Sequence, residues 1–196
     1  MAKEMTIEQQ IVADHMSFRD LYDRYHRSQY NREKRQLLNE FIREVSQHSL
    51  AEETVLYPKL LELKPQSKDH VDHERHEHQK IKSFLVEVDY NLSSNQDIIA
   101  SDKETLSVVE KHFEDASQEL EHHMKGEERD DLPLLSAQLD IEARLKLGRQ
   151  FSIAKMIAPT RPHPAAPNEG GMMETIGGMV AAAFDKTKDV GRSFPK

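Results

Sequence analysis

Apolar residues along the first three-quarters of this chain recur at helical intervals. Ile11, Phe18, Tyr22 and Tyr25 are spaced by three, four or seven residues, and Thr6 with Gln9 ahead of them has the form of a capping box. A turn is expected around Gln29–Arg32. A second stripe then holds Leu37, Leu38, Phe41, Ile42, Val45, Val55 and Leu56, with Pro58 and Pro65 expected to bend and close its helix. Ser67 or Asp69 can cap a third helix, whose inner face reads Val71, Ile81, Leu85, Val88, Leu92. After a polar connection over 91–102, Leu106, Val109, Phe113, Ala116 and Leu120 give the cleanest repeat, which Leu132-Pro133 is expected to end. Asp140 opens a shorter fifth helix reaching about Ile157. Four of the eight prolines then fall within 159–171, which predicts an extended linker. Residues 172–190 carry Ile176, Met179, Val180, Ala183 and Phe184 at the spacing of a small docked helix.

The pattern predicts an all-α protein. Its expected form is an antiparallel up-down-up-down four-helix bundle with a C-terminal extra helix and an extended Pro-rich tail. The corresponding divisions are 1–135, 136–158 and 159–196.

Polar residues interrupt these stripes at matching depth. His48 and Glu52 stand where the second stripe calls for apolar side chains, and His123 and Glu127 continue the fourth. Both pairs belong to a repeated His-x-x-x-Glu-Glu that is followed by a proline, Pro58 in one copy and Pro133 in the other. Residues four apart share a helix face, so each copy aims one imidazole and one carboxylate the same way. His15 sits in register on the first helix, while Glu74 and His78 do so on the third. His73 is turned about 100° from that stripe. Glu53 and Glu128 are likewise turned from their neighbours, which makes them supports of the ligands or surface residues, with a place as additional ligands left open. His26 is roughly 16 Å of helix away from His15, too far to join one small site. His70, His76, His112, His122 and His163 read as boundary or surface residues, and Asp130 and Asp131 as solvated charges.

Burying several ionisable groups in an apolar bundle is costly unless they pair or ligate a cation. A dinuclear site would offset the carboxylates and favour neutral imidazoles. The chain has no Cys, so any metal sits on nitrogen and oxygen; that suits iron or manganese, with zinc an option. The formal charge of −8 and the lack of a basic stripe argue against nucleic acid. The polar N-terminus is not a secretory signal, and no apolar run is long enough to span a membrane. A soluble cytoplasmic protein is expected.

These residues resemble the hemerythrin-like, or HHE cation-binding, family over about residues 10–135. The resemblance is carried by His15, His48-x-x-x-Glu52-Glu53 with Tyr57-Pro58, and His123-x-x-x-Glu127-Glu128 with Leu132-Pro133. Its fungal-type branch is similar through Asp72-His73-Glu-Arg75-His-Glu-His78-Gln-Lys80 and Pro159-Thr-Arg-Pro-His163-Pro-Ala-Ala-Pro167. The resemblance implies a four-helix bundle around a non-haem diiron centre. By position, Glu52 and Glu127 would bridge the irons, with His15, His48, His78 and His123 as terminal ligands. Oxygen-carrying members have His-x-x-x-His on the third helix, where this chain has Glu74-x-x-x-His78. That departure points away from a respiratory carrier and leaves open whether His73 or Glu74 joins His78.

Three functions follow as expectations. The first is a diiron protein that binds or senses dioxygen or a related small ligand, in an oxygen, iron or nitric oxide response or in iron handling. The second is a diiron oxidase or peroxidase-type enzyme, with Tyr22, Tyr25 or Tyr57 available for redox chemistry. The third is a metal-free helical interaction protein whose tail recruits a partner.

Overall fold

The computed structural model describes residues 4–94 and 103–163, together with Asp185, Asp189 and residues 192–195. Helices and no strands are found among them, and the helices pack as a bundle. Helix α1 covers Ile7–Arg27 and begins at the expected capping box: Gln9 donates its amide to Thr6 Oγ1, and the Thr6 amide donates to Gln9 Oε1. Helix α2 is Asn31–Ala51, α3 is Tyr57–Leu63, α4 is Lys68–Ser94 and α5 is Lys103–Gly126. Helix α6 follows at Leu132–Gln138, and α7 at Ile141–Ile157 is capped by the Asp140 carboxylate. The proposed small helix at 172–190 lies almost wholly outside the described residues.

The expected helix end at Leu132-Pro133 is not observed. A π turn at Glu127–Asp131 carries α5 directly into α6, and another at Glu52–Leu56 carries α2 into α3. In each, an amide reaches five residues back: Tyr57 to the Glu52 carbonyl, Leu132 to that of Glu127. Pro58 and Pro133 come one residue later. A proline lacks an N–H and its ring strikes the carbonyl four residues back in an α-helix. The wider turn relieves that clash where the ladder changes step. The prolines therefore mark π turns rather than helix ends.

Two apolar clusters lie along the bundle. One contains Phe18, Phe41, Val45, Ile81, Phe113 and Leu120; the other contains Ile11, Ala51, Tyr57, Val71, Leu132 and Phe151. The polar intruders fall between them in sequence: His15 between Ile11 and Phe18, His48 between Val45 and Ala51, His78 between Val71 and Ile81, His123 between Leu120 and Leu132. Helix α7 covers the second cluster and brings Phe151 within 5.7 Å of the His48 ring, centroid to centroid.

Close approach of α7 to the start of α1 depends on Gly148, where an added Cβ would collide with the Met5 carbonyl and crowd Thr6 and Gln10. A mid-helix Gly normally costs about 0.5–1 kcal/mol relative to Ala. Here overpacking, worth about 1–3 kcal/mol, outweighs that gain. Gly148→Ala is expected to lower the melting temperature by about 2–8 °C in a calorimetric scan; an unchanged or higher value would show that α7 can back away freely.

Beyond α7 the chain lies against α4. Arg161 and Arg192 both pair with Asp89, at 2.8 and 3.2 Å, and both also reach Asp189. Asp185 accepts the Thr160 and Arg161 amides and meets His163 at 3.0 Å.

Candidate metal centre

Each helix stripe delivers its polar residue to one buried layer. His48 Nε2 lies 2.8 Å from one oxygen of Glu52, and His78 Nε2 lies 3.3 Å from the other. His15 and His123 approach the same Glu127 oxygen through Nε2, at 3.4 and 3.6 Å. His78 and His123 bring their Nε2 atoms to 3.0 Å, and the Tyr57 hydroxyl is 3.2 Å from His78 Nε2. Two sets of possible donors result: His15, His48, Glu52 and Glu127, and Glu52, His78 and His123, each set with its donor atoms within 4.8 Å of one another. Glu52 belongs to both.

The side chains fit a cation. Both oxygens of Glu52 and of Glu127, with Nε2 of His15 and His48, are buried and have no hydrogen-bond partner. Leaving such atoms unpaired costs about 1–3 kcal/mol each, and more when charged. Four imidazoles and two carboxylates converging on one layer form a nitrogen–oxygen set suited to divalent transition metals.

The outward nitrogens are equally ordered. His48 Nδ1 meets Asp14 at 3.0 Å, His78 Nδ1 meets Glu53 at 2.8 Å, His123 Nδ1 bonds Glu77 at 3.0 Å, and His15 Nδ1 meets Glu128 at 2.8 Å. The supports run in a closed circle. A carboxylate of α1 holds the histidine of α2, the first π turn holds α4, α4 holds α5, and the second π turn holds α1. Such partners fix the tautomer that leaves Nε2 free to ligate. Three of the four carboxylates are themselves paired with permanent cations: Asp14 with Lys155, Glu53 with Lys82, Glu128 with Arg19, at 2.6, 2.9 and 3.1 Å. Glu77 is instead approached by His73 and His122, at 3.3 and 3.5 Å.

In the metal-free protein these groups compete for charge. Burial, followed by the Glu52 charge, pushes the Glu127 carboxyl up to about 7. At Glu52 burial opposes ionisation, but the His48 charge and the close approach of the His123, His48 and His78 rings hold it well below the usual carboxylate range. Burial likewise opposes protonation of His48, yet the Glu52 charge and the Asp14 hydrogen bond push it up to about 9. The Tyr57 hydroxyl is pushed up by burial and then by the charges of Glu127 and Glu52, so it remains a hydrogen-bond donor.

The layer thus brings together His15, His48, Glu52, His78, His123 and Glu127. Glu53 and Glu128 lie beside it, as the turn of the helix predicts. Neither His73 nor Glu74 shares a donor set with His78. Glu74 lies 2.8 Å from the outward face of His123, and His73 is exposed. His26 pairs with Glu114, away from the site. Asp131, read from sequence as a solvated charge, is buried and bonded to His70 at 2.9 Å, because the chain continues as helix there instead of ending. Asp14, Glu77 and Lys155 were not anticipated. Their signal was present in one form: Asp14 and Glu77 each directly precede a layer histidine, His15 and His78.

An all-helical bundle with buried histidine–carboxylate clusters is a cation-binding module in form. Residues 6–135 match the hemerythrin HHE cation binding domain, and the chain belongs to that family. It is similar to a hemerythrin-like protein of Schizosaccharomyces pombe, 32% identical over 158 residues that cover 80% of this chain and 72% of the relative. No solved structure matches the chain. Helix α7, which supplies Phe151 and Lys155 to the surroundings of His48, lies outside the family-matched stretch.

Proposed function

We propose that this is a non-haem diiron protein of the up-down-up-down bundle type that binds or senses dioxygen or a related small ligand. The observation that carries the reading is the position of Glu52, whose two oxygens face different histidines in two overlapping donor sets. Glu52 and Glu127 would bridge, His15 and His48 would hold one ion, and His78 and His123 the other. Iron bound there supplies a redox-active Lewis acid to which a small diatomic ligand can attach. The supporting carboxylates keep Nε2 of each imidazole aimed inward. Tyr57 places a protonated hydroxyl beside His78, the polar donor best placed to hydrogen-bond a bound ligand. Manganese or zinc would satisfy the same donors without the same oxygen chemistry.

The protein is read as working in the cytoplasm; among the described residues no helix is long and apolar enough to cross a membrane. Residues 1–135 would form the metal-binding unit, 136–158 its cover, and 159–196 a tail open to a protein partner.

A second reading, an oxidase or peroxidase-type enzyme, is favoured by one feature. A groove of about 620 Å³ between α1 and α5 has Phe18, Phe41, Leu120 and Met124 among its lining residues, and the Phe18 ring lies 5.1 Å from that of His48. An organic substrate in this groove would be one side chain from the metals.

The test is the metal content and absorption spectrum of purified protein. About two irons per chain with an oxo-bridge spectrum support both readings. Bleaching by dithionite and return of colour with oxygen, without product, separates binding from turnover. Failure to take up iron after anaerobic loading would sink both. His78→Ala is expected to reduce iron content while His73→Ala leaves it unchanged; the reverse order in a metal assay would mean that His73 is the ligand.

A further inference from the structure

The four-residue His–Glu spacing occurs again on α4, in His70-x-x-x-Glu74. The structure turns these two side chains toward Asp131, the last residue of the second π turn. His70 Nε2 is 2.9 and 3.1 Å from the two Asp131 oxygens, and His70 Nδ1 is 3.6 Å from Glu74 Oε1. These contacts use opposite ring nitrogens, only one of which can face a shared ion. One donor atom from each residue nevertheless lies within 4.8 Å of the others. Ligands about 2.1 Å from a shared ion stand roughly 3.0–3.4 Å apart, so the set closes on a cation if these side chains draw in by about 1–2 Å.

Charge argues the same way. The Glu74 and Asp131 side chains are each only 5% exposed, and among the described residues neither is paired with a lysine or arginine. The other Glu74 oxygen, Oε2, is buried and meets an imidazole rather than a permanent cation, His123 Nδ1 at 2.8 Å. Two buried carboxylates served chiefly by imidazoles leave a negative charge uncompensated, which a divalent ion would offset. His70 is 36% exposed, so the set opens to solvent.

We propose that His70, Glu74 and Asp131 form a third, peripheral site for a divalent transition metal. An imidazole with two carboxylates favours iron(II), manganese(II) or zinc over magnesium. Glu74 joins this site to the buried layer: its Oε1 faces His70 and its Oε2 lies 2.8 Å from His123 Nδ1. An ion here is one carboxylate and one imidazole from the centre, and among the described residues this is the only one of four such sets with a partly exposed ligand.

The test is equilibrium titration of the metal-free full chain with cobalt(II), followed by visible absorption. Wild type should take three equivalents and His70→Ala two. Asp131→Asn should weaken the third at least tenfold. Glu52→Ala, which removes the shared ligand of the central pair, should retain an equivalent that His70→Ala/Glu52→Ala loses. A wild type without the third equivalent, or a His70→Ala variant that keeps it, overturns the proposal. If Glu52→Ala binds as wild type does, the reading of the centre fails instead, and the His70 comparison still decides the peripheral site. Circular dichroism of His70→Ala confirms its fold, since that side chain is partly exposed.

Discussion

Glu52→Ala is expected to leave at most one metal ion in the central layer in place of two. Its carboxylate is the residue common to both donor sets, with separate oxygens toward His48 and His78. Loss of a partner that only orients a ligand costs about 10–100-fold in metal affinity, and loss of a bridge should exceed that for both ions. Glu127→Ala is expected to act similarly, because one oxygen of Glu127 faces both His15 and His123. Glu53→Ala provides the graded control: it removes the support from His78 Nδ1 and should weaken binding within the 10–100-fold range. Two ions retained at wild-type affinity in the central layer of Glu52→Ala, counted in the His70→Ala background by elemental analysis and titration, would refute the bridging role.

Removing the metal is expected to lower the melting temperature by roughly 8–16 °C. At free metal about a thousand times the dissociation constant, binding stabilises by about 4 kcal/mol. For a chain of this length each kcal/mol moves the midpoint by about 2–4 °C. The pH dependence should change as well. His48 rises from 6.5 to about 9 in the metal-free fold, so its contribution is full below 6.5 and is lost as pH rises through 9. Glu127 rises from 4.5 to about 7, so it increasingly disfavours the fold as pH rises above 4.5. Glu52 is depressed, so its contribution is full above 4.5 and is lost progressively as pH falls below that value. The metal-free protein should therefore be most stable in mild acid and weaken toward pH 9. A metal-free melting temperature that rises from pH 6 to 9 would contradict this account.

The inner stripes were legible because an interrupted apolar repeat is a local pattern, and period alone aligns His15, His48, His78 and His123. Of the supporting carboxylates, Glu53 and Glu128 were placed beside the site, but which histidine each would meet was not legible, and Asp14 and Glu77 were missed. All four sit about 100° from a layer residue, facing whichever helix happens to be its neighbour. That depends on the order in which helices pack, which no single helix encodes. Asp131 was misread for a different reason. A helix was expected to end at Leu132-Pro133, which would leave Asp131 in solvent, whereas the π turn carries α5 on into α6 and keeps Asp131 against His70 of α4. Lys155 belongs to α7, where the apolar pattern is weak and gives no sign of which side meets the bundle.

The two prolines bear on how such a site endures. A π turn is an α-helix with one residue too many, and deletion of that residue would ordinarily let the helix heal into plain α form. Here healing would set the rings of Pro58 and Pro133 against carbonyls inside a regular helix, at a cost of about 3 kcal/mol apiece. Each glutamate pair is thus held in its aberrant phase by a residue six positions downstream that never touches the metal layer. A one-residue deletion that relaxed either turn would need a second change, at the proline, before the bundle could settle without its centre. The metal-binding geometry is in that sense protected from simple reversal by covalent shape alone.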